Sequence, residues 1–376
     1  MEQKRLGDIA TYINGYAFKP EDRGSTGLPI IRIQDLTGNA YDLGFYDGKY
    51  PEKIEINDGD VLISWSASLG VYIWNRGKGL LNQHIFKVVF DKCEVNKQYF
   101  VFAVKYKLKE MELKTHGATM KHIVKKDFDN TVIPFPTVEK QADIAYILSK
   151  IESIVEFRQQ ELQQLDDLMK ARFVEMFGNE KDFLAKARNK VSDICKSRVG
   201  IVIQPTQYYT DEVNGVRAFR SLNVKPFYIN DSDWVYFSEA DNEQLCRTQV
   251  KAGDVAVVRT GANLGDCCVI PREYDGCNAI DILLLTCNDN ILPIYLSAFI
   301  NYPVGKQQII NVQRGGAIKH LNLKQLETSH IYVPELELQQ QFVDFVNQVN
   351  KSKVAVQKAL DETQLLFDSL MQEYFG

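Results

Sequence analysis

An internal repeat constrains the fold of this chain more than any other feature of its sequence. The run Gly-Ala-Thr-Met-Lys-His at 117–122 returns as Gly-Gly-Ala-Ile-Lys-His at 315–320. In the same register, Ile-Pro-Phe-Pro at 133–136 returns as Ile-Tyr-Val-Pro at 331–334. Each copy is far longer than a solenoid repeat of roughly 20 to 50 residues, so the sequence predicts a tandem duplication of one domain followed by one helix.

Length and composition fit two folded domains of ordinary size. The chain has 376 residues, of which 45% are hydrophobic, and that share can bury a core in each half. Its seven cysteines form no Cys-x-x-Cys pair, which disfavours a zinc site or a disulfide framework and favours a reducing, cytoplasmic location. Because no stretch approaches about 18 consecutive apolar residues, we expect no membrane span.

Net charge raises a mild objection to nucleic-acid binding. The formal net charge is −5, whereas nucleic-acid-binding domains usually carry a basic surface. The acidic residues are partly concentrated between Glu152 and Asp167, where a long helix is expected. Since an acidic protein can still present a basic groove, the charge leaves this class of function open.

Hydrophobic periodicity divides the chain into four segments. Residues 1–137 and 181–335 contain short β-branched and aromatic runs between glycines and aspartates, which predicts strands. Residues 138–180 and 336–376 carry apolar residues every three or four positions, with about 40 residues free of proline and glycine in each. The predicted fold class is α+β, with two similar, strand-rich, mixed α/β domains joined by two long helices.

The two long helices should pair with each other as an antiparallel coiled coil. Their narrow apolar seams match, and the domain between them gives the chain room to turn back. We expect Ile144, Ile147, Ile151 and Ile154 in the first seam, with Ile147 beside Leu366 of the second helix. In the alternative arrangement, each helix packs on its own domain.

The ordered series of motifs resembles a known family. In the first copy, the run at 117–122 is followed by Asp127-Phe128, by Ile-Pro-Phe-Pro and by Glu-Lys-Gln at 139–141, ahead of a long helix. This order is similar to the end of a target recognition domain in the specificity subunit (HsdS) of type I restriction–modification systems. The second copy follows it too, with Asn-Ala-Ile at 278–280 where the first has Asn-Gln-His at 82–84.

The resemblance implies a DNA-recognition subunit that has no catalytic activity of its own. Two target recognition domains, 1–137 and 181–335, would each read one half of a bipartite, asymmetric site on double-stranded DNA. The helices would set the unread gap, and the subunit would use no cofactor. It would dock two modification subunits, which transfer methyl groups from S-adenosylmethionine, and restriction subunits, which translocate and cut DNA.

Motif content leaves two other classes of function to weigh. The sequence has no Gly-x-x-x-x-Gly-Lys-Ser/Thr phosphate loop and no Asn/Asp-Pro-Pro-aromatic run of the kind that amino-methyltransferases use. This disfavours one alternative, the remnant of a single-chain DNA-modifying enzyme. The polar and aromatic loops repeated in both copies disfavour the other, a coiled-coil scaffold that binds no DNA.

Candidate DNA contacts come from loops at equivalent places in the two copies. Arginine and amide side chains read guanine and adenine edges, whereas lysines in a tight loop contact phosphates. Local alternatives stay open: Arg32 and Arg220 could pair with a nearby carboxylate, Trp65 could be a core residue, and the lysines could be solvated. The predicted contacts are Arg32, Gln34, Ser64, Ser66, Lys121, Arg220, Asn223, Arg259, Thr260, Asn263, Arg314 and Lys319.

Overall fold

Two compact units make up the protein. The first unit comprises Met1–Gln160 and Gln357–Gly376, and the second comprises Glu161–Val356. The structure, a computed structural model, describes residues 2–38, 43–114, 123–310 and 320–376.

Short strands form most of the first unit. Its described strands are β1 (Gln3–Arg5), β2 (Thr11–Asn14), β3 (Leu28–Ile31), β4 (Gly44–Tyr46), β5 (Glu55–Ile56), β6 (Val61–Ser64), β7 (Gly70–Ile73), β8 (Gly79–Leu81), β9 (Ile85–Val89) and β10 (Val132–Pro134). Its helices are α1 (Leu6–Ile9), α2 (Ile33–Thr37), α3 (Lys97–Lys114), α4 (Lys125–Asp129) and the first part of α5 (Val138–Phe177), with 3-10 turns at Pro20–Asp22 and Glu52–Ile54.

Two four-stranded sheets organise the first unit. One is antiparallel with the order β2-β9-β6-β7, and the other has the order β4-β3-β8-β5, in which β3 and β8 run parallel. All four residues of the central strand β6 are buried, as a continuous apolar run predicts. Phe100 and Phe102 of α3 complete the core beneath β6.

The second unit repeats this set of elements. Its described strands are β11 (Asn189–Lys190), β12 (Cys195–Val199), β13 (Tyr209–Thr210), β14 (Gly215–Phe219), β15 (Val224–Lys225), β16 (Tyr228–Ile229), β17 (Val235–Ser238), β18 (Val255–Val258), β19 (Cys267–Val269), β20 (Asn278–Ala279), β21 (Ile282–Cys287) and β22 (His330–Ile331). Its helices are α6 (Glu180–Lys186), α7 (Val191–Ile194), α8 (Glu239–Gln244), α9 (Pro293–Asn301), α10 (Pro303–Ile310), α11 (Leu323–Thr328) and the first part of α12 (Leu336–Phe375), with 3-10 turns at Pro205–Tyr208, Cys246–Thr248 and Arg272–Tyr274.

The sheet topologies show that the duplication extends to the fold. The order β12-β21-β18-β19 in the second unit matches β2-β9-β6-β7 in the first. In the other sheet, β17-β14-β20 matches β4-β3-β8, and in both units the last two of these strands run parallel. The fourth strand differs, because β5 flanks β8 in the first unit whereas β13 flanks β17 in the second.

The long helices α5 and α12 pack antiparallel. In the first unit, Leu148 near the start of α5 shares a core with Met371 near the end of α12. In the second unit, the ring of Phe173 near the end of α5 lies 5.4 Å from the ring of Phe342 near the start of α12. The predicted fold class is confirmed, and each helix contributes to both units instead of packing on one domain alone.

The apolar seam of α5 includes Ile144 and Ile151 as predicted, but Leu148 and Val155 take the places expected for Ile147 and Ile154. Ile147 and Ile154 are 41% and 45% exposed, whereas their neighbours Leu148 and Val155 are 0% and 9% exposed. Leu366, expected to lie beside Ile147, is also 51% exposed. The expectation that Ile147 faces Leu366 is therefore wrong, because both side chains lie outside the helix pair.

A repeated glutamine fastens the start of each long helix. In the first unit, Gln141 donates to the carbonyl of Pro136 at 2.9 Å and accepts from the amide of Asn96 at 2.9 Å. In the second unit, Gln339 donates to the carbonyl of Pro334 at 2.7 Å and accepts from an amide before α9 at 2.8 Å. Both glutamines are fully buried, so their recurrence in the sequence reflects a structural role.

Candidate nucleic-acid interface

In the first unit, several loops meet at one short segment, residues 82–84, which connects β8 to β9. The backbone of this crossing segment forms hydrogen bonds to Ile31 at the end of β3 (3.0 Å), to Tyr16 after β2 (2.8 Å) and to Trp65 after β6 (3.2 Å). The carbonyl of Trp65 also accepts from the amide of Ile123, which follows the repeated 117–122 motif. Arg32, Ser66 and Ile123 are thereby brought to one edge of the unit.

The second unit gathers the same loops at its own crossing segment, Ile280 and Asp281. These residues form backbone hydrogen bonds to Phe219 at the end of β14 (2.8 Å) and to Ile201 after β12 (3.0 Å). The carbonyl of Arg259, after β18, accepts from the amide of Leu321, which follows the repeated 315–320 motif, at 2.8 Å. We call these gathered loops the loop edge: residues 15–19, 32–35, 64–69 and 82–84 in the first unit, and residues 200–204, 220–223, 259–263 and 280–281 in the second.

Close backbone approach holds the loop edge together in both units. A Cβ atom at Gly15 would lie 2.0 Å from the carbonyl oxygen of Asn82, and one at Gly200 would lie 2.5 Å from that of Ala279. Only glycine lets the chain after β2, or after β12, pass so near to the crossing segment. The loop edge is therefore a fixed part of the fold.

Arg32 closes a tight turn in the first unit. Its backbone amide donates to the Asp35 carboxylate at 2.8 Å, and its guanidinium Nε donates to the same oxygen at 3.2 Å. Asp35 is 2% exposed, and its backbone carbonyl accepts from the Arg76 guanidinium at 2.6 Å. Arg32 thus forms the local ion pair with a carboxylate that was one of the two interpretations of this residue. Gln34, which lies between Arg32 and Asp35 in the sequence, is exposed.

Asn223 occupies in the second unit the place of Asp35. Its side-chain oxygen accepts from the backbone amide of Arg220 at 3.0 Å, and its amide group donates to the carbonyls of Asn230 and Ser232 at 3.1 and 2.9 Å. The side chain is fully buried, so it shapes the loop from within. Arg220 pairs with no carboxylate in the described contacts; its guanidinium donates to the carbonyl of Asp233.

The three residues of the Ser-Trp-Ser run at 64–66 differ in exposure and role. Ser64 is fully buried, and its hydroxyl donates to the carbonyl of Ser68 at 2.6 Å. The Trp65 ring stacks on Phe86 at 5.5 Å, which favours the interpretation of Trp65 as a packing residue. Ser66 is 8% exposed.

Arg259 stands at the place of Trp65, and Asp281 stands at the place of His84. In the first unit this pair is a contact between rings, 4.9 Å apart. In the second it is an ion pair of 3.3 Å, and the Arg259 guanidinium also contacts Nε2 of His320. Arg259 is only 8% exposed, so its guanidinium mainly holds the loop edge together. The hydroxyl of Thr260 donates to Asp281 at 3.3 Å, while Asn263 is exposed.

Three predicted contacts, Lys121, Arg314 and Lys319, lie outside the described residues. Conversely, some exposed residues of the loop edge are absent from the predicted set. Tyr16 is 41% exposed, Ile203 is 77% exposed and Gln83 is exposed, yet none is among the predicted contacts. In the sequence, the Asn-Gln-His run at 82–84 serves only as a family motif. The amide side chains of this run are the signal that could have identified Gln83 as a candidate contact.

The strand registers also correct the alignment of the two copies. Ile31 pairs with Leu81, and Phe219 pairs with Ala279, so these pairs are equivalent. The second crossing segment is therefore one residue shorter than the first. The expected match of 278–280 to 82–84 is wrong, because Asn278 belongs to β20 and is fully buried.

The described residues show little that could support catalysis. Among them, no group of three or more His, Cys, Asp and Glu side chains is arranged to hold a metal ion. Burial raises the pKa of the Cys268 thiol to about 12, which keeps it protonated and poorly nucleophilic. In the same part of the chain, no helix is both long and apolar enough to cross a membrane.

Known proteins match this architecture along most of the chain. The family model described as "Type I restriction modification DNA specificity domain" matches residues 1–167 and 220–363. The specificity subunit of the type I restriction enzyme EcoBI from Escherichia coli is 22% identical over 98% of this chain and 83% of its own length. The specificity subunit of MjaVIII from Methanocaldococcus jannaschii is 25% identical over 59% of this chain and 55% of its own length.

Solved structures support the fold independently. The S subunit of a type I restriction–modification system from M. genitalium has a TM-score of 0.57 at 15% identity, covering 100% of this chain and 96% of that one. A chain solved in work on the complex assembly and conformational transition of the type I R-M system has a TM-score of 0.57 at 17% identity, covering 99% and 96%.

The duplicated fold, with two strand-rich units and two long antiparallel helices, is similar to that of these solved chains. The chain belongs to the type I restriction–modification specificity subunits, because the family model covers well over half of it. It is the DNA specificity subunit of such a system, and this subunit is non-catalytic.

Proposed function

We propose that each unit reads one half of a bipartite, asymmetric site on double-stranded DNA through its loop edge. The target recognition domains would be residues 1–137 and 181–335. The observation that carries this proposal is that both units gather equivalent loops at one edge, mostly with equivalent backbone hydrogen bonds, but present different side chains there. A shared backbone framework that carries different loop side chains suits two half-sites of different sequence.

The exposed residues of the loop edge are the best candidates for base contacts. Gln34 and Asn263 are exposed amides, and the half-buried Arg220 carries a guanidinium fork whose described partner is the carbonyl of Asp233. Lys121 and Lys319, in the repeated motifs, are proposed to contact phosphates, and Arg314, just before the second motif, is proposed to contact DNA. Arg259, Asn223 and Ser64 are proposed to act through the loops that they hold, because they are buried and hydrogen-bonded.

The partners proposed are two modification subunits and restriction subunits, assembled in the cytoplasm. The family to which the chain belongs supports assembly in a type I complex, and the described cysteines are all unpaired, which suits a reducing compartment. Two structurally similar units offer two similar docking places, which fits two copies of the modification subunit.

A reconstitution assay tests the proposed function. The purified chain alone should show no methyltransferase, nuclease or ATPase turnover, because it contributes recognition only. Adding the modification subunits of its host, with S-adenosylmethionine, should produce sequence-specific DNA methylation. Methylation by the modification subunits at the same sites without the chain, or turnover by the chain alone that survives repurification, would contradict the proposal.

Arg220 and Lys319 should differ in how they contribute to DNA binding. Arg220→Ala should cost about 1–3 kcal/mol on the specific duplex and little on a scrambled one, because a guanidinium fork discriminates guanine. Lys319→Ala should weaken both duplexes alike and reduce the salt slope by about one, because an ammonium group neutralises one phosphate. Binding of the assembled complex across a salt series measures both effects.

Arg220→Lys is the matched control for this series, since it keeps the positive charge and loses the fork. It should discriminate between the duplexes nearly as poorly as Arg220→Ala. Equal weakening of both duplexes by Arg220→Ala would remove Arg220 from the base contacts and leave it a role in holding its loop.

A further inference from the structure

We propose that Gln83 is a base-reading residue of the first unit and contacts an adenine in the half-site that this unit recognises. The inference rests on the proposed function and adds to it a residue and a base. Gln83 lies at the centre of the crossing segment, where the loops after β2, β3 and β6 converge, and its side chain is exposed.

The backbone of Gln83 is held firmly while its side chain is exposed. The backbone amide of Gln83 donates both to the carbonyl of Tyr16 at 2.8 Å and to the side-chain oxygen of Asn82 at 2.9 Å. The next residue, His84, has a φ of +72° and accepts a hydrogen bond from Trp65 through its carbonyl. Because the backbone is already fixed, only the rotamers of the Gln83 side chain must be ordered when it binds, which limits the entropic cost of a selective contact.

The neighbourhood of Gln83 is suited to a duplex. Tyr16 is 41% exposed and lies in a row of rings, 5.0 Å from Phe18, which in turn is 5.1 Å from Tyr46. Phe18 packs on the Tyr16 ring, part of which stays exposed, and the backbone carbonyl of Tyr16 accepts from Gln83. Such a rigid, partly exposed ring can pack against the sugars or bases that flank a contacted base pair.

The chemistry of the side chain selects the base. A glutamine amide offers one donor and one acceptor in a plane, which matches the N7 acceptor and N6 donor of adenine in the major groove. The second unit has no equivalent side-chain amide at this place, because its shorter crossing segment consists of Ile280 and Asp281 alone. Gln83 should therefore contribute to the first half-site only, and so to the asymmetry of the whole site.

Two substitutions of Gln83 distinguish recognition of a base by the side-chain amide from simple filling of space by the side chain. Gln83→Ala should relax one adenine position of the first half-site, reducing discrimination there by about 5- to 150-fold, the range of one bidentate contact. Gln83→Glu should lose adenine and gain tolerance of cytosine at the same position, because a carboxylate accepts from the cytosine N4 amino group. Gln3→Ala, at an exposed glutamine on β1 outside the loop edge, is the matched control.

The probes are duplexes of about 30 base pairs, roughly three helical turns, carrying the site mapped for the wild-type complex, with each base pair of the first half-site exchanged in turn. Methylation of this set by the assembled complex is measured for each variant, together with its melting temperature. Relaxation at one position, with the second half-site intact, is the expected result. An unchanged profile for both Gln83 variants, or a uniform loss on all duplexes at an unchanged melting temperature, would overturn the assignment of Gln83 while the wild-type complex still supports the proposed function.

Discussion

Exchange of residues 1–137 for the corresponding domain of a relative should change one half of the methylated site and leave the other half intact. Each unit has its own sheets and its own loop edge, so an exchanged domain should bring its own base contacts into the hybrid. The graft should retain Tyr99 and Phe102, because their rings pack on Phe375 and Phe367 of α12 at 5.2 and 6.1 Å. Mapping methylated bases with the hybrid complex measures the result.

The reciprocal exchange of residues 181–335 is the control for this experiment. It should alter the half-site that the first exchange leaves intact. If either exchange changes both halves together, the units do not read independently, and the modular account of recognition fails.

Phe173→Ala should destabilise the second unit by about 3–5 kcal/mol, the usual cost of removing a buried ring. Phe173 is fully buried near the end of α5, and its ring lies 5.0 Å from Phe177, 5.0 Å from Tyr302 and 5.4 Å from Phe342. The lost contacts thus join α5 to α12 and to the segment between α9 and α10. Urea unfolding followed by hydrogen exchange measures the change and assigns it to residues 161–356.

Val354→Ala offers the comparison on the same unit. Val354 is 70% exposed on α12, so its loss should change the free energy of unfolding by no more than about 0.5 kcal/mol. A cost below about 1 kcal/mol for Phe173→Ala would mean that the aromatic cluster around α5 does not support the second unit.

The sequence predicts the class of the fold well because its signals are repeated. Two copies of one ordered series of motifs and two long stretches free of proline and glycine are enough to indicate two similar domains and two long helices. The choice of seam on α5 is harder to predict. Ile147 and Leu148, like Ile154 and Val155, are adjacent apolar residues, so two overlapping stripes fit the same spacing, and only the packing partners select Leu148 and Val155.

The candidate site is less predictable, because side-chain type does not reveal burial. Asn223 has the amide expected of a base-reading residue, yet it is fully buried and caps the turn that begins at Arg220. Gln83 is not predicted for a related reason. In the sequence, Asn82 aligns by chance with Asn278, and only the strand pairing shows that the second crossing segment is one residue shorter than the first. Contacts between loops far apart in sequence decide both cases.

The sequence of the methylated site tests the central claim most directly. Methylated bases should be mapped across DNA from cells that express the modification subunits with this chain and, in parallel, without it. We expect one bipartite site, with two different half-sites separated by an unread gap, that is methylated only when the chain is present. A single uninterrupted site, two identical half-sites, or the same methylated positions in the absence of the chain would contradict it.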